Sequence, residues 1–416
     1  MTTALQERRG PGRARGVRSA MSLLRREENF RWFLPGHATS LFGSAMAPVA
    51  LAFALLPGSG GADTLGWVLT ARIVPVVLML LVGGAAADRL GSRRVMLTAD
   101  AVRVVSQSGF ALALLTGYRP LGLLLALAAV GGVGEAVFTP ALNALIPRLA
   151  PAEQLAQANA TITLVRSTAN VAGPALAGLL TAWAGPGVVL AADAGSFAVS
   201  LLALSRVVVA LPPPAGHRPG LLAELRDGWG EFRSHNWLWT TCLQACFFNL
   251  LLWAPFLVLG PADTEQHLGG ARAWGVVLAC FGGGSVLGSL LLLGRDPRRP
   301  VLVSTITGLG YVLPSAALAC RAALTWVCAA ALLAGIASAV GGSLSTLAWQ
   351  RLIPRELQAR VSAYGYLGAF ALGPVGLALA GPAAALLGTG TVLAAGAVFQ
   401  LVSTAAALGV RAVREN

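Results

Sequence analysis

Apolar runs recur along nearly the whole chain, from residue 32 to residue 410, and each is close to the ~20 residues a helix needs to cross a bilayer. Twelve spans can be read, at 32–56, 65–87, 95–116, 121–146, 160–183, 187–205, 237–260, 273–293, 301–320, 324–349, 361–386 and 390–410. Only 11% of the 416 residues are charged, against about 25% in an average soluble domain. The chain is therefore predicted to be an all-α membrane protein that crosses the bilayer many times. The first run is too long for a signal-peptide core, and no clear small-residue cleavage site follows it.

Charge placement supplies the orientation. All 30 basic residues are arginine, and the net charge is +13. With the N-terminus in the cytoplasm, the inner segments hold 24 arginines and the outer loops only Arg119, Arg272 and Arg321. Arg72, Arg103 and Arg166 fall inside spans. This is the positive-inside asymmetry, so both termini are predicted to be cytoplasmic, in the cell (inner) membrane. The basic arm 1–31 reads as an anchor on anionic membrane lipid, and no nucleic acid is expected as a partner. Tryptophans near the span ends, such as Trp32, Trp183, Trp237 and Trp326, suit the bilayer interface.

One segment interrupts the apolar pattern. Residues 211–236, "LPPPAGHRPGLLAELRDGWGEFRSHN", are proline-rich and then charged, and read as a linker with an amphipathic surface helix. It divides the chain into six-span halves at 32–210 and 237–410, with a tail at 411–416. The halves echo each other. Ile146-Pro147 matches Ile353-Pro354, and Gly173-Pro174 matches Gly373-Pro374. Paired halves with a site between them are the architecture of alternating-access carriers.

Between the second and third spans lies a dense charged knot, "GGAAADRLGSRR" at 83–94. Gly83 and Gly84 permit close helix approach. Asp88 ends the second span, where a carboxylate can accept hydrogen bonds from the positive N-terminus of a neighbouring helix. Arg93 and Arg94 can engage carboxylates or lipid phosphates, and Asp100, six residues after Arg94, is a candidate partner for one of them. A plain topogenic loop is the alternative, although such a loop needs neither Asp88 nor the paired glycines.

The pattern Gly84-x-x-x-Asp88-Arg89-x-Gly91-x-Arg93-Arg94 resembles the signature loop of the major facilitator superfamily, with Ser92 where the family form usually has a basic residue. Gly173-Pro174-Ala-Leu-Ala-Gly178 resembles the motif of its antiporter branch. Stretches such as "NFRWFLPGHATSLFGSAM" and "WQRLIPRELQARV" are similar to the macrolide-efflux and enterobactin-exporter subfamily. The resemblance implies twelve helices in two six-helix bundles. It also implies a gating latch of Gly84, Asp88, Arg89, Gly91, Arg93 and Arg94, with Asp100 and Arg103 on the next span, that closes against span eleven.

Ionisable groups inside the bilayer are costly and are functional candidates by default. Those not in the latch are His37, Arg72, Glu135, Arg166 and Asp193, all in the first half. Glu135 lies about 16 Å above the inner end of its span and Arg166 about 9 Å above that of the next, so a long arginine side chain bridges the gap and pairs the two if their helices are adjacent. Glu135 follows "GGVG", which is expected to leave room for solvent or ligand. Glu135 with Arg166 is the leading proton-coupling candidate, His37 and Asp193 are the reserves, and a static pair is the alternative. Arg72 and Asp193, both about two turns below the outer surface, are read first as structural. Gln244, Phe248, Asn249, Trp253, Tyr311 and Gln350 are the second half's candidates for a substrate cavity. Cys242, Cys246, Cys280, Cys320 and Cys328 read as small thiols without a pairing pattern.

No phosphate-binding loop with its lysine occurs, and no catalytic or metal-ligand constellation appears. The predicted function is export of a small amphiphilic or hydrophobic molecule (drug, macrolide or siderophore) by proton antiport, by a monomer with no cofactor. A lysolipid flippase and a non-transporting membrane sensor or assembly partner are the alternatives.

Overall fold

The computed structural model describes residues 27–57, 61–79, 91–151, 154–209, 229–230, 232–293, 295, 297–353 and 358–415. Gly84, Asp88 and Arg89 of the knot, the arm up to residue 26, and residues 210–228 of the linker lie outside the described residues. Helices α1 (Glu28–Leu55), α2 (Gly61–Met79), α3 (Ser92–Thr116), α4 (Leu121–Leu145), α5 (Leu155–Ala184) and α6 (Pro186–Ser205) form a first group. The second comprises α7 (Asn236–His267), α8 (Gly270–Leu292), α9 (Pro300–Ala319), α10 (Leu324–Leu352), α11 in two segments (Gln358–Phe370 and Gly373–Leu387), and α12 (Thr389–Gly409), followed by the short α13 (Arg411–Glu415).

Among the described residues, ten helices are long and apolar enough to cross a membrane. α3 and α5 fall outside that set because they carry polar groups along their length, Asp100, Arg103, Ser106 and Gln107 on one and Arg166, Ser167, Thr168 and Asn170 on the other. Some of these face inward, for Asp100 is fully buried and Ser106 nearly so. Large apolar side chains such as Leu112, Leu386 and Val402 instead stand exposed around the outside. That inversion is suited to lipid, which solvates aliphatic side chains and cannot solvate backbone polar groups.

In the first group α1 packs on α5 and α6, and α4 packs on α2 and α3. In the second, α8 and α9 pack on α10, and α7 on α11. The groups join along two seams, α2 with α11 and α5 with α8. Both seams lie toward the end of the bundle away from the chain termini, here called the far end. A Cβ on Gly66 would sit 2.3 Å from the Leu377 carbonyl, and one on Gly275 would sit 2.5 Å from the Pro174 carbonyl. The helices approach this closely because those positions have no side chain. Thr70 adds a hydrogen bond of 3.0 Å from its hydroxyl to the Pro374 carbonyl.

Two helices are irregular. α7 widens into a π-turn at Asn249–Trp253, and α11 breaks at residues 371–372, before Pro374. The two defects face each other. The Asn249 amide donates to the Ala369 carbonyl at 3.1 Å, serving a backbone group beside the break where a regular ladder is interrupted. The ends of the first group are tied by arginine and asparagine. Arg93 donates to the carbonyls of Leu204 and Ser205, at the C-terminus of α6. Asn29 makes a reciprocal pair of hydrogen bonds with the backbone of Val208.

Candidate functional site: a cavity between the two helix groups

A cavity of about 520 Å³ lies between the groups. Its two walls differ in kind. α1 to α5 contribute every ionisable lining residue, His37, Arg72, Arg103, Glu135 and Arg166, whereas the second group contributes Leu257, Pro261, Trp274, Leu278 and Leu377.

The charged wall is built by glycines. A Cβ on Gly132 would sit 2.1 Å from the Arg72 carbonyl, and one on Gly134 would sit 3.0 Å from the Ala99 carbonyl. The "GGVG" run therefore draws α2 and α3 against α4, and its first glycine, Gly131, lines the cavity beside Glu135. One turn beyond Gly132, Glu135 Oε2 accepts from Arg72 Nε at 3.0 Å and lies 2.9 Å from a second guanidinium nitrogen. A forked, charge-assisted contact of this kind fixes orientation as well as energy. The predicted Glu135–Arg166 pair is thus replaced by Glu135–Arg72, because α4 packs on α2 and α3 while α5 packs on α1, α6 and α8. Arg72, read as structural from the sequence, is the partner of the carboxylate.

Asp100 does not reach Arg93 or Arg94 as expected. It is fully buried, accepts the Ser200 hydroxyl at 2.7 Å, and lies 3.7 Å from Arg103. Arg93 is engaged with α6 instead, and Arg94 is exposed in the first turn of α3. Arg103, assigned by sequence to the latch, belongs to the cavity wall. Its guanidinium lies 4.3 Å from the centre of the Phe138 ring and 5.2 Å from that of Phe197, within range of cation–π attraction. Phe138 carries His37 as well, with ring centres 5.9 Å apart, and Phe33 stacks on His37 at 5.2 Å. His37 is 3% exposed, and neither ring nitrogen has a hydrogen-bond partner among the described residues. Asp193 is fully buried on α6, accepts the Ser196 hydroxyl and no other donor among the described residues, and does not line the cavity.

Gly173 packs against Ala45 of α1, while Pro174 and Gly178 form part of the seam with α8. In the second group, Gln244, Phe248 and Tyr311 line a smaller cavity of about 230 Å³ with Gln400. Trp253 lines neither cavity and sits in an aromatic nest with Phe248, Phe256, Phe281 and Tyr311. Asn249 ties α7 to α11. Gln350 lies at the end of α10 and lines neither cavity. Ser200, Phe138, Phe197 and Gln400 escaped the sequence reading. Ser200 and Phe197 sit one turn apart on α6, a spacing that signals a shared inward face, but nothing in the sequence ties that face to α3.

The chain resembles known proteins over most of its length. It is 27% identical to the multidrug efflux pump Tap of Mycobacterium tuberculosis over 351 residues, covering 82% of this chain and 83% of that one. It is 24% identical to macrolide efflux protein A of Streptococcus pyogenes over 279 residues, covering 65% of this chain and 67% of that one. Among solved structures, the nucleoside transporter NupG (D323A mutant) superposes with a TM-score of 0.76 at 12% identity, covering 94% of this chain and 99% of that one. That likeness concerns the fold alone. The family model described as Major Facilitator Superfamily matches residues 33–377, and this chain accordingly belongs to the Major Facilitator Superfamily, whose members related to it are transporters and not enzymes.

Proposed function

We propose that this chain exports a small amphiphilic or hydrophobic molecule by alternating access, in exchange for protons flowing inward. In this reading twelve helices span the cytoplasmic membrane as two six-helix halves, 32–210 and 237–410. The termini are cytoplasmic and the far end faces outward. The observation that carries the reading is the cavity itself. It lies between halves that meet along far-end seams of glycine and carbonyl, and one of its walls is charged while the other is apolar. Such a space fits an amphiphile better than a sugar or a simple ion. The printed names of the two relatives, both efflux proteins, favour drug or macrolide export over siderophore export.

Glu135 is the coupling group. Its side chain is 41% exposed, in contact with the cavity, so a proton can reach it from water. Protonation removes the charge that holds Arg72, which links proton occupancy to the packing of α2 against α4. Proteoliposomes with an imposed pH gradient test this. Glu135→Gln is expected to bind substrate and to lose gradient-driven transport, since glutamine keeps the shape and not the titration. Full proton-driven transport by a folded Glu135→Gln protein refutes the coupling role.

A further inference from the structure

The charges around the cavity do not cancel in pairs. Arg72 is matched by Glu135, and Arg103 by Asp100. Arg166, in the middle of α5, is exposed, lines the same cavity, and has neither an ion pair nor a hydrogen bond among the described residues. The remaining carboxylate, Asp193, is buried on α6 behind the wall. An arginine at membrane depth is costly without a counter-ion, and guanidinium is suited to bidentate recognition of carboxylate or phosphate.

His37 supplies the second, independent sign. It is almost fully buried, it lines the cavity, and both of its nitrogens lack a partner among the described residues. Buried polar groups are ordinarily satisfied. Its ring is held between Phe33 and Phe138, so the side chain is fixed in place while its hydrogen-bonding capacity is unspent. The opposite wall is wholly apolar.

Resting on the export reading above, we propose that Arg166 and His37 form an anion subsite, and that the substrate is an amphiphile carrying one carboxylate or phosphate group. The anion sits against Arg166 with His37 as a hydrogen-bond donor, and the apolar body lies on Leu257, Trp274, Leu278 and Leu377. The volume, about 520 Å³, falls within the range of pockets for one drug-sized ligand. Outward movement of a monoanion is favoured by an inside-negative membrane potential, so its export is accelerated by the potential as well as by the pH gradient.

The test uses the full chain in nanodiscs and three probes of one shape: 2-naphthylacetate, its methyl ester, and 2-(2-naphthyl)ethylamine, with binding read by equilibrium dialysis. The acid is expected to bind roughly tenfold more tightly than the ester or the amine, in keeping with a charged hydrogen bond. Arg166→Gln is expected to remove that preference and leave ester binding unchanged, which also reports that the variant is folded. His37→Phe, which keeps the stack, is expected to weaken the acid by a smaller factor. The ranking of the three probes on the unaltered protein needs no variant. An amine that binds as well as the acid, or an acid affinity indifferent to Arg166→Gln, overturns the subsite. Displacement of the acid by a single-chain anionic phospholipid assigns the anion to a lipid headgroup; failure to displace assigns it to a soluble acid, and either outcome requires the subsite. Transport is read separately in proteoliposomes. Arg166-dependent binding without transport upholds the subsite and refutes export, whereas transport of the acid without dependence on Arg166 does the reverse.

Discussion

Three arginines, Arg72, Arg103 and Arg166, lie inside the first six spans at depths comparable to Glu135, and the structure joins the carboxylate to Arg72. Measured along the helices, Glu135 lies ten residues before the end of α4 and Arg166 eleven after the start of α5, about 15 and 16 Å from the same end of the bundle. Arg72 is about 16 Å from the far end and Glu135 about 21 Å, so depth was nearly as good for either partner. Depth is what a sequence carries in a membrane protein; lateral neighbourhood is not. The missing information was that α4 packs on α2, and Gly132 beneath Arg72 is the residue that permits it. A double-mutant cycle separates the partners. Glu135→Gln combined with Arg72→Gln is expected to show a coupling of about 1–3 kcal/mol, and with Arg166→Gln one below about 0.5 kcal/mol. Thermal unfolding of the detergent-solubilised protein gives both numbers. Because this pair is partly exposed on the cavity wall, the loss on breaking it belongs at or below the ~3–5 kcal/mol typical of fully buried pairs. Coupling to Arg166 equal to that with Arg72 contradicts the observed pairing.

At the level of helices, the positions of most elements were legible because hydrophobic length and turn residues are local signals. α4, read at 121–146, spans Leu121–Leu145, and α6, read at 187–205, spans Pro186–Ser205. The π-turn of α7 and the break in α11 were not legible, since each is stabilised by the other through Asn249 and the Ala369 carbonyl. The Gly173-Pro174 motif was seen, but its contact was not: Gly178 and Gly275 let α5 and α8 touch, with a Cβ on Gly275 falling 3.1 Å from the Gly178 Cα. Gly275→Ala is therefore expected to loosen the far-end seam and favour the conformation open at that end. Ser44, which lines the cavity, reports on this when replaced by cysteine in a protein lacking the five native thiols. An impermeant thiol reagent added outside is expected to label it severalfold faster in Gly275→Ala. Gly283→Ala on the same helix has no atom of the described residues within 4 Å of its new Cβ and is expected to change nothing. Equal labelling in both variants shows that the seam does not govern access.

For the whole molecule, the sequence disclosed a polytopic chain with an internal echo, and it could not disclose which end is sealed. That depends on contacts between residues some three hundred positions apart, such as Thr70 with Pro374. The seal also makes alternating access testable. A Cβ on Gly381 would fall 2.8 Å from the Asp63 Cα, so α2 and α11 run in contact here, and Pro382, the next residue, offers a neighbouring attachment point without crowding Gly381. Asp63→Cys with Pro382→Cys, in the same thiol-free background, is expected to be joined by a short bis-methanethiosulfonate, which forms a disulfide with each cysteine and releases methanesulfinate. If the carrier must open at the far end to release substrate, the link stops transport while leaving binding from the terminal side intact, because the cavity wall of Arg72, Glu135 and Arg166 is untouched. Cleaving the link with a reductant should return transport to its starting rate. Either single-cysteine variant treated with the same reagent should keep its activity, which separates the tether from simple modification. Turnover at the normal rate by the linked protein would mean that the far-end seam stays shut during transport, and alternating access about this cavity would have to be abandoned.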